Sequence, residues 1–344
     1  SYNYTSKKTS FSSKIEFQDI NRFFGVINDS TVTRNKSYIN PSFFLRYKPK
    51  KGRNFKLSYK KTITNPTYKQ SSTVFNDLNP FSIRRGNPNL RAQKNDILLL
   101  ITNINNFKSA FNFNSKLEYI YTKDAITPNI TIDDDFINTR SYDNIGDKKK
   151  LNTTLSISKK ISSLGLRYIL KNRNTFSASN SLVNREINEV KTNNYSGSIA
   201  IENAKKGTID IKSGIKYDLN TTKFSILENL NRNFTKQQYY TSFDYDVSKK
   251  INLNTQFDYI IFTDSNFKSN QKLPLWNAAI SYAFSKKKNN ILKLVFIDLL
   301  NKNVDITRRS TINYFEETTT ESLGRYIILS YTYRLNNKKK KNRL

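Results

Sequence analysis

Apolar and polar residues alternate along most of this chain. Over residues 207–219, Ile209, Ile211, Ile215, Tyr217 and Leu219 fall on one side, and Thr208, Asp210, Lys212, Lys216 and Asp218 on the other. A period of two predicts a strand with one apolar and one polar face. The pattern recurs downstream, where Tyr239, Phe243, Tyr245 and Val247 oppose Tyr240, Ser242, Asp244 and Asp246. Next, Ile251, Leu253, Phe257, Tyr259 and Ile261 oppose Asn252, Asn254, Gln256 and Asp258. Helical periodicity is nearly absent. In all, about 14 strands are expected, near residues 8–18, 36–48, 53–64, 95–105, 110–122, 147–160, 163–175, 193–202, 207–219, 236–247, 251–263, 275–286, 290–298 and 323–334.

The connections alternate in length. Short turns are expected at 49–52, 106–109, near 161, and at 204–206, 248–250 and 286–289. Long loops are expected at about 19–35, 65–94, 123–146, 176–192, 220–235, 264–274 and 299–322. Two-faced strands of about 10 residues, joined alternately by short turns and long loops, describe an antiparallel transmembrane β-barrel. Hydrocarbon forbids unpaired backbone groups, so a membrane-spanning sheet has to close on itself. The mean hydropathy of −0.67 is compatible with this, because only half of each strand would meet lipid. A soluble sandwich or propeller also alternates, but its strands are typically only about 5–6 residues long. The tyrosines, 21 in number, often fall near strand ends, as do Tyr121, Tyr168, Tyr217, Tyr259 and Tyr333, which suits aromatic girdles.

Composition narrows the chemistry. The 344 residues include no His and no Cys, which removes the triad base, thiolate chemistry and His- or Cys-based zinc sites. No G-x-G-x-x-G or P-loop pattern is present. No apolar run reaches the ~18 residues of a spanning helix. Catalysis, cofactors and metals are therefore not expected. Asp133, Asp134 and Asp135, like Glu316, Glu317 and Glu321, read as solvated loop carboxylates before they read as a cation site.

One segment stands apart: NPFSIRRGNPNLRAQ, residues 79–93, in a chain with only 9 Gly and 7 Pro. It resembles the "GNPxLKPE" segment of TonB-dependent receptor barrels, closest to the receptor-like outer-membrane barrels of Bacteroidota-type bacteria. Asn79, Pro80, Gly86, Asn87, Pro88, Asn89 and Leu90 match, and Arg91, Ala92 and Gln93 replace Lys-Pro-Glu. FIDLLNKN at 296–303, with Arg325 and Tyr326 opening GRYIILSYTYRL, resembles the same family's final strand pair. Leu335 stands where the family usually ends in Phe, and a basic tail, 336–344, runs on. The resemblance implies a bacterial outer-membrane protein that binds and imports a nutrient. An upstream plug domain and TonB would be its partners. Family barrels have about 22 strands, so residues 1–335 are expected to be the C-terminal barrel portion of a longer receptor. A complete 14-stranded barrel is the other reading. In function, a non-transporting barrel anchoring a surface or periplasmic partner stands as the alternative, and a soluble basic β-protein binding polyanions as a weaker one.

Alternation assigns the charges of the polar face, expected to line a lumen: Lys56, Lys116, Glu118, Arg167, Asp210, Lys212, Lys216, Asp244, Asp246 and Asp258. They would either set the field felt by a solute or plug, or pair with one another. The net charge of +31 has a second location, because lysines gather at the short turns: 48, 50 and 51; 159 and 160; 205 and 206; 249 and 250; 286–288. Short turns face the periplasm in such barrels, which puts these cations near anionic lipid headgroups. Aromatics do not interleave with the basic residues, so no nucleic-acid groove is implied.

Overall fold

The computed structural model describes residues 1–24, 32–72, 82–135, 137–204, 207–226, 228–264, 270–284, 289–310, 315–321 and 323–334. The strands are β1 (Tyr2–Thr5), β2 (Thr9–Phe24), β3 (Val32–Tyr47), β4 (Arg53–Thr64), β5 (Ser82–Arg84), β6 (Gln93–Asn106) and β7 (Phe111–Lys123). They continue with β8 (Ile126–Ile132), β9 (Asn138–Asn144), β10 (Lys148–Ile161), β11 (Leu166–Val183), β12 (Glu186–Asn203) and β13 (Ile209–Phe224). The last are β14 (Arg232–Asp246), β15 (Ile251–Asp264), β16 (Gln271–Ala283), β17 (Asn290–Ile297), β18 (Val304–Ser310), β19 (Phe315–Glu321) and β20 (Tyr326–Tyr333). A single turn of helix, α1 (Tyr68–Ser71), follows β4. Eighteen strands form one sheet of antiparallel barrel type, and β18 and β19 form a separate hairpin. No helix among the described residues is long and apolar enough to cross a membrane.

Each of the 14 expected strands overlaps an observed one. Six more strands correct the count. β1 precedes the first expected strand, and β5, β8, β9, β18 and β19 lie in stretches read as loops. The loop expected over 176–192 is not a loop either. β11 and β12 run through it and reverse at Asn184 and Arg185, whose φ angles of 48° and 70° are those of a tight hairpin turn. Beyond the apolar band both faces of a strand meet water, so the alternation that identifies it disappears.

Packing divides the chain into two units. One comprises Ser1–Ile157, Lys171–Ser196 and Leu219–Asn233, and the other Ser158–Leu170, Gly197–Asp218 and Phe234–Leu344. In the first unit, β2–β3–β4–β6–β7 are consecutive antiparallel neighbours. The register Phe43↔Tyr59↔Leu98↔Tyr119 places four large apolar residues in one row across β3, β4, β6 and β7. Ile15, Phe17, Ile39, Leu98 and Leu100 share that face and are exposed. The opposite face carries Ser42, Lys60, Lys56, Arg46 and Glu118. In the second unit β14–β15–β16–β17–β20 repeat the arrangement, with Tyr239, Phe257, Trp276, Ile280, Ile327 and Leu329 exposed on the apolar face. Apolar side chains that face outward along strand after strand match a lipid solvent rather than water.

The most deeply buried apolar side chains of the first unit are not between layers of sheet. Leu90, Ala92, Ala125, Ile130, Val183 and Leu230 all lie at its long-loop end. There β5 pairs with β9 and the end of β11 with β8, both in parallel, over two or three residues each. Outside the bilayer the chain packs as an ordinary water-soluble protein does, and it buries a small core to hold its loops.

Candidate functional site

The segment 86–93 is built into this loop-end core. Gly86 N–H donates to the Ser72 carbonyl at 2.8 Å, and Asn87 N–H to the Gln70 carbonyl at 2.7 Å, which ties the segment to α1. A Cβ on Gly86 would fall on the Ser72 carbonyl oxygen and within 2.6 Å of the Ser72 nitrogen, so the close approach requires glycine. Asn87 Nδ2 donates to the Tyr142 carbonyl (3.0 Å) and to Asp143 Oδ1 (2.8 Å), while its Oδ1 accepts from Asn89 N–H (2.9 Å). Leu90 is 1% exposed, and its carbonyl accepts from Arg22 Nη2 at 2.8 Å. Asn144 then clamps the exit, accepting from Arg91 N–H at 2.7 Å and donating to the carbonyls of Arg91 and Asp124. Residues 86–93 are thus held in place by hydrogen bonds to neighbouring elements. Asn79 and Pro80 lie outside the described residues.

Asp124, with φ 56°, anchors the same corner through Lys94 (3.0 Å) and Arg91 (3.1 Å). Burial alone would raise its carboxyl pKa. The Lys94 hydrogen bond and the charges of Lys94, Arg91 and Lys123 outweigh burial and hold the pKa below the usual carboxylate value. Against Gly86 lies a cavity of about 230 Å³, lined by Tyr68, Lys69, Ser72, Arg84, Arg85 and Tyr142. Arg140 sits over the Tyr142 ring at 5.7 Å. Two guanidiniums, an ammonium and two phenol rings in one recess suit an anionic group carried on a planar or apolar body. Drug-sized pockets run to about 300–1,000 Å³, so this one holds a single group.

On the polar face the charges fall into local clusters. Lys116 pairs with Glu118 at 3.1 Å, and Glu118 also accepts from Asn152 Nδ2 at 3.0 Å. Arg167 and Lys212 share Glu202, at 3.1 and 3.7 Å. Asp210 accepts from Asn203 Nδ2 and from Gly207 N–H, closing the β12–β13 turn. Lys216 lies over the Tyr240 ring at 5.7 Å. Asp244 takes Asn252 and Asn254, Asp246 takes Asn252, and the buried Asp258 takes Gln238 (2.8 Å) and Gln256 (2.7 Å). Lys56 stands in register with Arg46 and Ile101. Within each unit these charges form separate local clusters, most of them with a partner on the same face. At the end of β17, Asp298 accepts from Lys302 and Asn303 N–H, and Asn301 from Arg325 N–H at 2.9 Å, so the FIDLLNKN stretch is a turn that positions β20. Asp133 Oδ1 accepts from Ile137 N–H in the β8–β9 turn, and among the described residues no three carboxylates are arranged to hold a metal.

Residues 1–165 match the family model described as outer membrane protein beta-barrel family. The chain has the antiparallel fold of an outer-membrane β-barrel. It resides in the bacterial outer membrane. The family description is broader than the TonB-dependent receptors and does not single them out. No curated protein matches this barrel protein significantly. Among solved structures, the toluene transporter TodX of Pseudomonas putida is 8% identical, with a TM-score of 0.28 over 96% of this chain and 90% of that one. The Ralstonia pickettii toluene transporter TbuX is 10% identical, with a TM-score of 0.30 over 96% and 90%. Overlaps this loose carry no argument about cargo.

The loop-end cavity of the barrel protein escaped the sequence reading. Its lining comes from three separate stretches, around residues 68–72, 84–86 and 142, so no spacing announces it. The one available signal was the glycine of the GNPNL segment, which marks a close backbone approach.

Proposed function

We propose that this protein is the barrel of a receptor-like importer of the TonB-dependent type, which captures a small anionic nutrient at its long-loop end. The observation that carries this reading is the basic, tyrosine-lined cavity built on Gly86 and fixed by the loop-end core. In this reading Lys69, Arg84 and Arg85 hold the anionic group, and Tyr68 and Tyr142 contact the rest of the ligand. The polar face offers a hydrated passage. A plug domain would close the passage, and TonB would supply the energy to open it. The work is binding and transport, with no bond in the ligand made or broken. The rival reading is a barrel that only anchors a partner.

Spent growth medium separates the two. Cells expressing the native barrel are compared with cells lacking it, cells lacking TonB, and cells carrying Arg84→Ala/Arg85→Ala. Import predicts that the same anionic compounds stay in the medium of all three mutants. An anchor leaves the medium unchanged, and uptake that persists without TonB contradicts energised import.

A further inference from the structure

At the opposite, short-turn end of the first unit lies a second cavity of about 540 Å³, lined by Lys7, Lys8, Lys48, Lys50, Lys51 and Arg53 together with asparagines. All six cations are exposed. Elsewhere cations meet carboxylates, as Lys116 meets Glu118 and Arg167 meets Glu202, but among the described residues none of these six does. Their positions are held by backbone. Lys48 N–H donates to the Lys8 carbonyl at 2.7 Å, joining the β1–β2 and β3–β4 turns, and Asn105 N–H donates to the Gly52 carbonyl at 2.6 Å. Gly52 has φ +83°, and a Cβ there would fall on the Asn105 carbonyl oxygen. The floor is also fixed, because Asn54 faces Asn103 across β4–β6 and accepts from Arg46 Nε at 2.8 Å. Beside the cavity, on the apolar face, the Tyr47 and Phe55 rings stack at 6.4 Å, the kind of aromatic pair that marks a membrane surface. Six like charges held together in a recess repel one another unless an anion joins them.

We propose that this cavity binds a phosphate-bearing ligand on the periplasmic side. A phospholipid headgroup and a soluble polyphosphate present the same chemistry, and the experiment distinguishes them. The full chain, purified in a neutral detergent, is titrated with inorganic tripolyphosphate and, separately, reconstituted into nanodiscs with and without phosphatidylglycerol. Thermal unfolding is followed by heat-modifiable gel migration. Lys48→Gln/Lys50→Gln/Lys51→Gln is compared with Lys159→Gln/Lys160→Gln/Lys249→Gln, which removes the same charge from the end of β10 and from the β14–β15 turn.

The expected result is stabilisation of the native chain by at least one probe, with apparent affinity weakened about tenfold or more in the first variant and less than about twofold in the second. The probe that stabilises identifies the source of the phosphate. If the first variant does not fold, Lys7→Gln/Lys8→Gln replaces it. Equal weakening in both variants, or no stabilisation by either probe, overturns the proposal.

Discussion

At the scale of single residues, the loop-end corner rests on contacts that no neighbour can replace. Gly86→Ala would drive a methyl group into the Ser72 backbone. The expected cost is about 1–3 kcal/mol, the usual range for overpacking, read as earlier unfolding in a heat-modifiability series. Asn87→Ala removes three hydrogen bonds and leaves Asp143 short of a donor, for about 1–3 kcal/mol. Asp124 sets a pH dependence. Its folded pKa lies below the unfolded value of about 3.9, so its contribution is complete above that value and is lost as pH falls through the folded pKa. The native chain should therefore exceed Asp124→Asn in unfolding temperature by a constant amount from neutral pH down to about 5, and the gap should close below about 4. A gap that widened on acidification would mean that the ion pairs with Lys94 and Arg91 are not its source. In the sequence, Gly86 and Pro88 were legible as part of a Gly- and Pro-bearing segment that stands apart from the strands. The burial of Leu90 was not, because nothing local distinguishes a leucine that enters a loop core from one that enters a strand.

At the scale of the element, legibility follows the solvent. Strands with lipid on one face and water on the other keep a strict period of two, and all 14 expected from alternation are present. β5, β8 and β9 lie beyond the apolar band. Three residues of β5 are too few to show a period, and β8 has buried residues on both faces, Thr127 and Ile130 among them. Turn chemistry was only half legible at Asn184 and Arg185, since asparagine takes the left-handed conformation seen there more readily than arginine does. The two faces should differ in their tolerance of charge. Ile280→Lys places an ammonium on the exposed apolar face of β16, at an expected cost of about 2–4 kcal/mol near mid-membrane. Asn254→Lys, on the polar face beside Asp244, should change stability by less than about 1 kcal/mol. Refolding into lipid vesicles measures both, and equal costs would contradict the assignment of faces.

At the scale of the molecule, the net charge of +31 has a spatial order that composition alone could not show. On the polar face, carboxylates and amides offset cations in small clusters. At the short-turn end of the first unit, six cations gather without a carboxylate partner among the described residues. The long-loop end combines arginines with tyrosines around a small recess. Lys205, Lys206, Lys286, Lys287, Lys288, Leu335 and the basic tail 336–344 lie outside the described residues. An orientation follows, with long loops toward the cell exterior and short turns toward the periplasm. The absence of cysteine makes this directly measurable, because any introduced thiol is the only one in the chain. Asp134→Cys lies in the β8–β9 turn at the long-loop end, and Lys108→Cys in the β6–β7 short turn. In intact cells a membrane-impermeant maleimide should label the first variant and spare the second, which should become reactive only after the outer membrane is permeabilised. Labelling of Lys108→Cys in intact cells while Asp134→Cys stays protected would contradict the account.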